Sequence, residues 1–161
     1  MSGYSIGRTV IGRIRKGDDL YNGIAAIARE HGIRVGRVTG IGSVEKAAVA
    51  FYDQKRMEYA EISINEPMEI VSLYGNVSLK EGSPFPHVHV VLSDARGNGK
   101  GGHLLPGTTP VFACEITIEE YDGEDLVRAL DDETGLYLWQ KDMSTIDPTG
   151  QAGESNVTRT E

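Results

Sequence analysis

The chain has 161 residues, 39% of them hydrophobic and 25% charged, so it can form one domain with its own core. Asp and Glu outnumber Lys and Arg by 24 to 16, and the net charge of −8 disfavours autonomous binding to nucleic acid phosphates. No apolar stretch approaches the roughly 20 residues of a membrane helix, and no signal peptide is evident. We therefore expect a cytoplasmic protein without a membrane partner.

One amphipathic helix is predicted near the start, after the strand-like segment "YSIGRTVIGRI". Asp18 or Asp19 can cap its N-terminus, and Gly32 follows as a stop. Apolar residues recur at helical spacing between these two signals. The residues that share the apolar face are Leu20, Ile24, Ile27 and Ala28.

Short β-rich runs separated by Gly, Pro, Asn and Asp follow, up to about residue 120. This pattern predicts an α+β fold in which a curled, mixed or antiparallel β-sheet packs against the helix. The glycines of "GIGS" indicate a turn or bulge, because no Lys-Ser/Thr pair and no helix follow as a phosphate loop requires. Cys114, the only cysteine, is predicted to be a buried strand residue.

The C-terminal part divides into two segments. "GEDLVRALDDETGLYLWQ" could form a helical turn and a final strand whose Leu and Trp residues close the core. The segment after Trp139 is polar and has no periodicity, which is typical of a flexible tail. We therefore predict one domain over residues 1–140 and a tail over residues 141–161.

Three of the four histidines lie close together in the sequence. His87 and His89 alternate within "PFPHVHVVLSD", so on a strand they point to the same face. A hairpin centred on Arg96 would place His103 opposite His89, because each lies seven positions from the centre. A shift of one residue in the turn would instead send His103 to the other face.

Three converging imidazoles suit Zn²⁺ or another divalent transition metal, and they leave a fourth coordination position open for water or substrate. Gly101 and Gly102 remove side chains next to His103 and allow the backbone or a ligand to approach closely. The alternative is that these histidines are hydrogen-bonded to carbonyl groups within the strands or lie at a subunit interface.

The order of several segments resembles the PPC (plants and prokaryotes conserved) domain. These segments are "GRVTGIGSV", "PMEIVSLYGNVSL", "PHVHVVLSDARGNGKGGHLLPG" and "PVFACEITI", and the likeness extends over residues 4–140. In plants this domain follows AT-hook segments of nuclear DNA-binding proteins, and its stretch there resembles Glu69 to Leu73. The Gly-Arg-Pro core of an AT-hook is absent from this sequence.

The resemblance implies a homo-oligomer, specifically a trimer, with a fold similar to that of alpha-acetolactate decarboxylase. The zinc of that enzyme is held by a His-x-His pair and a third histidine further on. Carried over by position, these ligands correspond to His87, His89 and His103.

Three functions stay open from the sequence: a metal-dependent lyase or hydrolase for a small molecule, a non-catalytic oligomeric interaction module, and a DNA-associated protein. An enzyme of the first kind needs a proton shuttle, and Glu69 is the candidate because it lies in an otherwise apolar strand. The alternative for Glu69 is an edge position or an ion pair with an arginine. Arg96 and Lys100 could attract an anionic substrate or could be ordinary exposed charges of a turn.

Overall fold

The computed structural model describes residues 3–140, and the predicted C-terminal tail lies outside the described residues. The described part contains one helix and ten strands. Their bounds are β1 (Ser5–Ile14), α1 (Leu20–Glu30), β2 (Gly36–Val44), β3 (Ala47–Asp53), β4 (Glu58–Ile64), β5 (Met68–Lys80), β6 (Ser83–Ser93), β7 (Gly99–Leu104), β8 (Val111–Asp122), β9 (Arg128–Asp131) and β10 (Leu136–Trp139).

Eight strands form one sheet in the order β1-β8-β2-β5-β6-β7-β3-β4, in which β1 and β4 are the edges. Every neighbouring pair is antiparallel, so of the two predicted arrangements the antiparallel one is present. The pairing of β2 with β5 shifts register between Gly40 and Gly42, which confirms a bulge at the "GIGS" glycines. The remaining strands, β9 and β10, form a separate two-stranded sheet.

The helix follows the sequence prediction closely. The Asp19 side chain caps it by accepting from the backbone N–H of Asn22 at 2.9 Å. The chain leaves the helix through His31 and then Gly32, whose φ of +66° is readily adopted by glycine. Leu20, Ile24 and Ala28 are fully buried, so the predicted apolar face is the face that packs on the sheet.

The core lies between α1 and one face of the eight-stranded sheet, with β6 as the main contact of the helix. On β6 the buried residues alternate with outward-facing ones, so Val88, Val90 and Leu92 face the helix. Cys114 is buried in this core, as predicted, and burial raises its pKa to about 11. Among the described residues, no helix is long and apolar enough to cross a membrane.

Within residues 123–140 the predicted final strand is present as β10, but the predicted helical turn is wrong, because residues 128–139 form a β-hairpin. The Asp131 carboxylate accepts from the N–H and hydroxyl of Thr134, and Gly135 adopts a φ of +69°. These turn contacts fix the pairing of Leu136 with Asp131 at the start of β10. Trp139 is 41% exposed and does not close the main core. We call residues 128–139 the cover hairpin.

Candidate metal centre

The turn between β6 and β7 sets the register of the strands that carry the three histidines. The Asp94 carboxylate accepts from the backbone N–H of Arg96 at 2.8 Å and from that of Asn98 at 2.9 Å. Its second oxygen accepts from the side-chain amide of Asn98 at 2.9 Å, and Gly97 has a φ of +82°. These contacts hold the pKa of Asp94 below its ordinary value, chiefly through the Asn98 side chain.

In this register His89 pairs directly with His103, as the sequence predicted. His87 lies two residues before His89 on the same face of β6. The three rings form a nearly equilateral triangle, with centroid distances of 5.4 Å for His87 and His89, 5.2 Å for His87 and His103, and 5.4 Å for His89 and His103. One nitrogen of each ring lies within 4.8 Å of the other two. We call these residues the histidine cluster.

Two members of the cluster are held in the neutral form that binds metals. Partial burial, helped by the positive charge of Arg128, lowers the pKa of His87 from 6.5 to about 4. Burial and the neighbouring imidazoles lower the pKa of His103 to about 4 as well. At neutral pH both imidazoles are therefore uncharged, and each has a lone pair available to a cation.

His103 has a buried polar atom without a protein partner. Its Nδ1 accepts and donates no hydrogen bond within the described residues, which is unusual for a buried nitrogen. The ring stacks on Tyr59, with a centroid distance of 4.9 Å and an interplanar angle of 23°, so its orientation is fixed. An immobilised imidazole with an unsatisfied nitrogen is suited to ligate an ion.

The glycines before His103 serve strand packing. A Cβ atom on Gly102 would lie 2.7 Å from the carbonyl oxygen of Ala50 on β3, and one on Gly101 would lie 2.5 Å from that of Val90 on β6. Both distances are too short for a side chain. The two glycines thus allow β7 to fit between its neighbours, which is the close backbone approach that the sequence indicated.

The histidine cluster lines a cavity of about 580 Å³, which we call the histidine cavity. Its walls are mostly aromatic and aliphatic. Among the described residues that line the cavity, Arg128 is the one that is fully charged. No Asp or Glu of the described chain lines it. The remaining wall residues are Ala50, Phe51, Tyr52, Tyr59, Phe85, Gly102, Gly135, Leu136, Tyr137 and Leu138.

The cover hairpin forms one side of this cavity and is attached at both ends. The Tyr52 hydroxyl on β3 donates to the carbonyl of Thr134 in the hairpin turn. At the other end, the N–H of Leu79 on β5 donates at 2.9 Å to the carbonyl of Leu126, two residues before the hairpin begins. The hairpin therefore spans from β5 to β3 above the strands that carry the histidines.

No sequence motif pointed to Arg128. It is the first residue of β9, and its guanidinium donates to Ser78 Oγ at 2.8 Å, to the Tyr137 carbonyl at 2.9 Å and to Asn76 Oδ1 at 2.8 Å. Asn76 in turn pairs with His87 across β5 and β6. The signal that could have located it is the turn sequence "DDETG" followed by the alternating "LYLW", which together indicate a hairpin.

Glu69 does not lie in the histidine cavity. It is exposed on β5, where it pairs with Ser93, four residues beyond His89 along β6. Four residues of a strand span about 13 Å, which is too far for direct proton transfer to a ligand at the cluster. The burial on which its predicted catalytic role depended is absent.

Arg96 and Lys100 also lie outside the cavity. Arg96 is exposed in the turn at the far end of the β6–β7 hairpin. Lys100 pairs with Leu92, whose side chain faces the core, so the lysine points away from the histidine face. Its ammonium group donates to Glu66 at 2.8 Å. Neither cation is placed to contact a molecule bound at the histidine cluster.

The fold and the site together define a class: a small α+β protein with an antiparallel sheet and a three-histidine cluster in an aromatic cavity. Residues 1–122 match the family model described as the Plants and Prokaryotes Conserved (PCC) domain. The chain belongs to this family, which is the one that the sequence motifs resemble. Arg128 and the cover hairpin lie beyond the matched residues.

Several solved structures are similar to the whole described fold. A metal-containing protein from Archaeoglobus fulgidus is 39% identical with a TM-score of 0.82, covering 88% of this chain and 99% of that one. A plant- and prokaryote-conserved protein from Pyrococcus horikoshii is 35% identical with a TM-score of 0.81, covering 86% and 95%. A putative DNA-binding protein from Bacteroides thetaiotaomicron is 28% identical with a TM-score of 0.76, covering 86% and 96%.

Curated relatives are longer proteins. The bifunctional protein GlmU of a Synechococcus strain is 30% identical over 124 residues, which make up 76% of this chain and 18% of that protein. The chain therefore spans less than a fifth of the length of this relative.

Proposed function

We propose that this protein binds one divalent transition metal ion, zinc in the first instance, through His87, His89 and His103, and that it acts there on a small carbonyl-bearing or anionic molecule. The observation that carries the proposal is the convergence of three imidazole nitrogens within 4.8 Å of one another on the wall of a cavity. The metal-containing neighbour from Archaeoglobus fulgidus supports it.

The donor set fits a zinc ion. Zinc prefers neutral imidazole ligands, and the lowered pKa values of His87 and His103 keep these two rings neutral. Zinc is bound by nitrogen at about 2.0–2.1 Å, so three nitrogens within 4.8 Å of one another would have to move closer together to share one ion.

Bound zinc would supply a Lewis acid for a carbonyl or carboxylate oxygen and would lower the pKa of a coordinated water towards about 7. The chain itself supplies aromatic walls beside the cluster, and Tyr59 fixes the orientation of His103. No carboxylate of the described residues lines the cavity. A carboxylate proton shuttle would therefore have to come from the substrate or from outside the described part of this chain.

Calorimetric titration of metal-free protein with ZnCl₂ tests the proposal. We expect a stoichiometry of one ion per chain in wild type and an affinity at least 100-fold lower in His103→Ala. The matched control is His31→Ala, which removes the fourth histidine, at the C-terminal end of α1, and should leave the affinity unchanged. Equal zinc binding by His103→Ala and wild type would contradict the proposed site.

The proposal includes a homo-oligomer, and specifically the trimer implied by the family resemblance. The sheet face opposite α1 carries exposed apolar side chains, which a monomer would leave in water. On strands β1, β2, β5 and β6 these are Ile11, Ile41, Tyr74 and Val91. Pairing of this face with another copy would also support the second candidate function, a non-catalytic interaction module that retains the metal.

DNA binding is suggested by the plant proteins that contain this domain and by similar structures of putative DNA-binding proteins. The net charge of −8 opposes it, because phosphate binding needs an excess of Lys and Arg on a surface. A gel shift with duplex DNA at low and moderate salt would reveal such an activity, and we expect none.

A further inference from the structure

Arg128 is a buried cation with only neutral hydrogen-bond partners. Its relative exposure is 6%, and its three acceptors are a hydroxyl, a backbone carbonyl and a side-chain amide. Among the described residues, no carboxylate forms an ion pair with it. A buried charge is costly unless an opposite charge and hydrogen bonds compensate it, so the absence of an anion is unusual.

Part of this cost is offset by aromatic rings. The guanidinium carbon lies 5.8 Å from the centre of the Phe85 ring and 5.2 Å from that of the Trp139 ring. These contacts leave the site with a net positive charge. Burial lowers the pKa of Arg128 from its ordinary value, and the groups that oppose this effect are the phenols of Tyr21 and Tyr59 rather than a carboxylate.

The guanidinium still has donors to offer. Of its five N–H bonds, three are donated to Ser78, Tyr137 and Asn76, one from each nitrogen. One N–H therefore remains on each terminal nitrogen. Two N–H groups on the terminal nitrogens are what a carboxylate accepts when it binds an arginine in the bidentate manner. The three existing hydrogen bonds hold this group in place before a ligand arrives.

The position of Arg128 links it to the histidine cluster. Its acceptor Asn76 pairs with His87 across β5 and β6, and both Arg128 and His87 line the histidine cavity. An anion bound to Arg128 would thus have its other end in the apolar part of the cavity, beside the three imidazoles.

We propose that Arg128 forms the anion subsite of the histidine cavity and binds the carboxylate of a small organic acid whose apolar part lies against Phe85 and Tyr137. This subsite names the ligand class of the proposed function. The position of the ligand beside a catalytic metal rests on that proposed function. A carboxylate fits better than a phosphate, because the cavity offers one guanidinium with two free donors and mostly apolar walls. A phosphate dianion needs more donors and charge.

Binding of a carboxylate at Arg128 can be measured by tryptophan fluorescence, because Trp139 is the only tryptophan and lies beside Arg128. The probes are phenylacetate, its neutral isostere phenylacetamide, and inorganic phosphate. Each is titrated into wild type, Arg128→Lys and Arg128→Gln, both with zinc and after removal of metal by a chelator. Zinc content and thermal denaturation of each variant are recorded alongside.

We expect saturable binding of phenylacetate to wild type, and at least 10-fold weaker binding of phenylacetamide and of phosphate. Arg128→Gln should bind phenylacetate at least 10-fold more weakly than wild type and should keep the zinc content of wild type. The affinity of Arg128→Lys for phenylacetate should lie between those of wild type and Arg128→Gln.

Equal affinities for phenylacetate and phenylacetamide in wild type would overturn the subsite, even if the variants fail to fold. Tighter binding of phosphate than of phenylacetate would overturn the ligand class. Charge-dependent binding in metal-free wild type would support the subsite whether or not the metal centre exists.

Discussion

His89 and His103 lie directly opposite each other on β6 and β7, with ring centroids 5.4 Å apart. This pairing depends on the turn after Ser93, because a shift of one residue would reverse the face on which His103 lies. Asp94 accepts three hydrogen bonds within that turn and so maintains the register.

Asp94→Ala should therefore reduce both stability and zinc affinity. Loss of the turn hydrogen bonds should lower the free energy of unfolding by about 1–2 kcal/mol. We expect zinc affinity to fall several-fold, as measured by calorimetry. Asp53→Ala is the matched control, because Asp53 accepts from Lys55 and Arg56 in the β3–β4 turn. It should cost similar stability without changing zinc affinity; an equal loss of affinity would show that the effect is general.

Metal-free protein should lose stability as the pH falls from 6.5 towards 4. In the folded protein the pKa values of His87 and His103 are about 4, whereas in the unfolded chain these imidazoles have the ordinary pKa of 6.5. As the pH falls, the unfolded chain therefore takes up protons before the folded protein does, which favours unfolding. Because both rings are partly exposed, we expect a loss of about 2 kcal/mol in total. Urea denaturation at a series of pH values measures it. His103→Gln should flatten the dependence, and an unchanged slope would contradict the assigned cause.

Tyr52→Phe should loosen the cover hairpin. The variant removes the hydroxyl that donates to the Thr134 carbonyl, at a cost of about 0.5–1.5 kcal/mol. Hydrogen exchange of the β10 amides, Leu136–Trp139, should become faster, while that of β5 and β6 serves as the internal reference. Equal acceleration throughout the sheet would indicate general destabilisation, and no acceleration would show that the hairpin is held by other contacts.

Val91→Glu should disrupt the proposed oligomer. Val91 is exposed on the sheet face opposite α1, and a carboxylate there would be buried without a partner in a subunit interface. Light scattering coupled to size exclusion should show the mass of several chains for wild type and of one chain for the variant. Val127→Glu is the matched control, because it adds the same charge at an exposed position next to the cover hairpin and outside the proposed interface. A monomeric wild type would contradict the proposal.

Much of the fold and cluster followed from local patterns in the sequence. The helix was predictable because its cap Asp19, its apolar face and the stop at Gly32 agree with one another. His103 could be placed opposite His89 because strand alternation and turn length fix a hairpin register. Both inferences use residues close in sequence, for which geometry leaves few alternatives.

The parts that the sequence did not reveal depend on distant contacts. The proton-shuttle role considered for Glu69 required burial, which its apolar neighbours alone do not decide, because burial of a strand residue depends on the face it occupies and on what covers that face. Arg128 gains its position only after the cover hairpin packs above β5, through contacts about 50 residues apart in sequence. Local pattern carries no information about such packing.

Metal content per chain tests the central claim most directly. Untagged protein purified without chelator, beside the His87→Ala/His89→Ala double variant, would be analysed by inductively coupled plasma mass spectrometry. We predict close to one zinc, or another divalent transition metal, per wild-type chain and almost none in the folded variant. A wild-type protein that is free of metal and fails to take up added Zn²⁺, Mn²⁺ or Ni²⁺ would contradict the three-histidine metal centre.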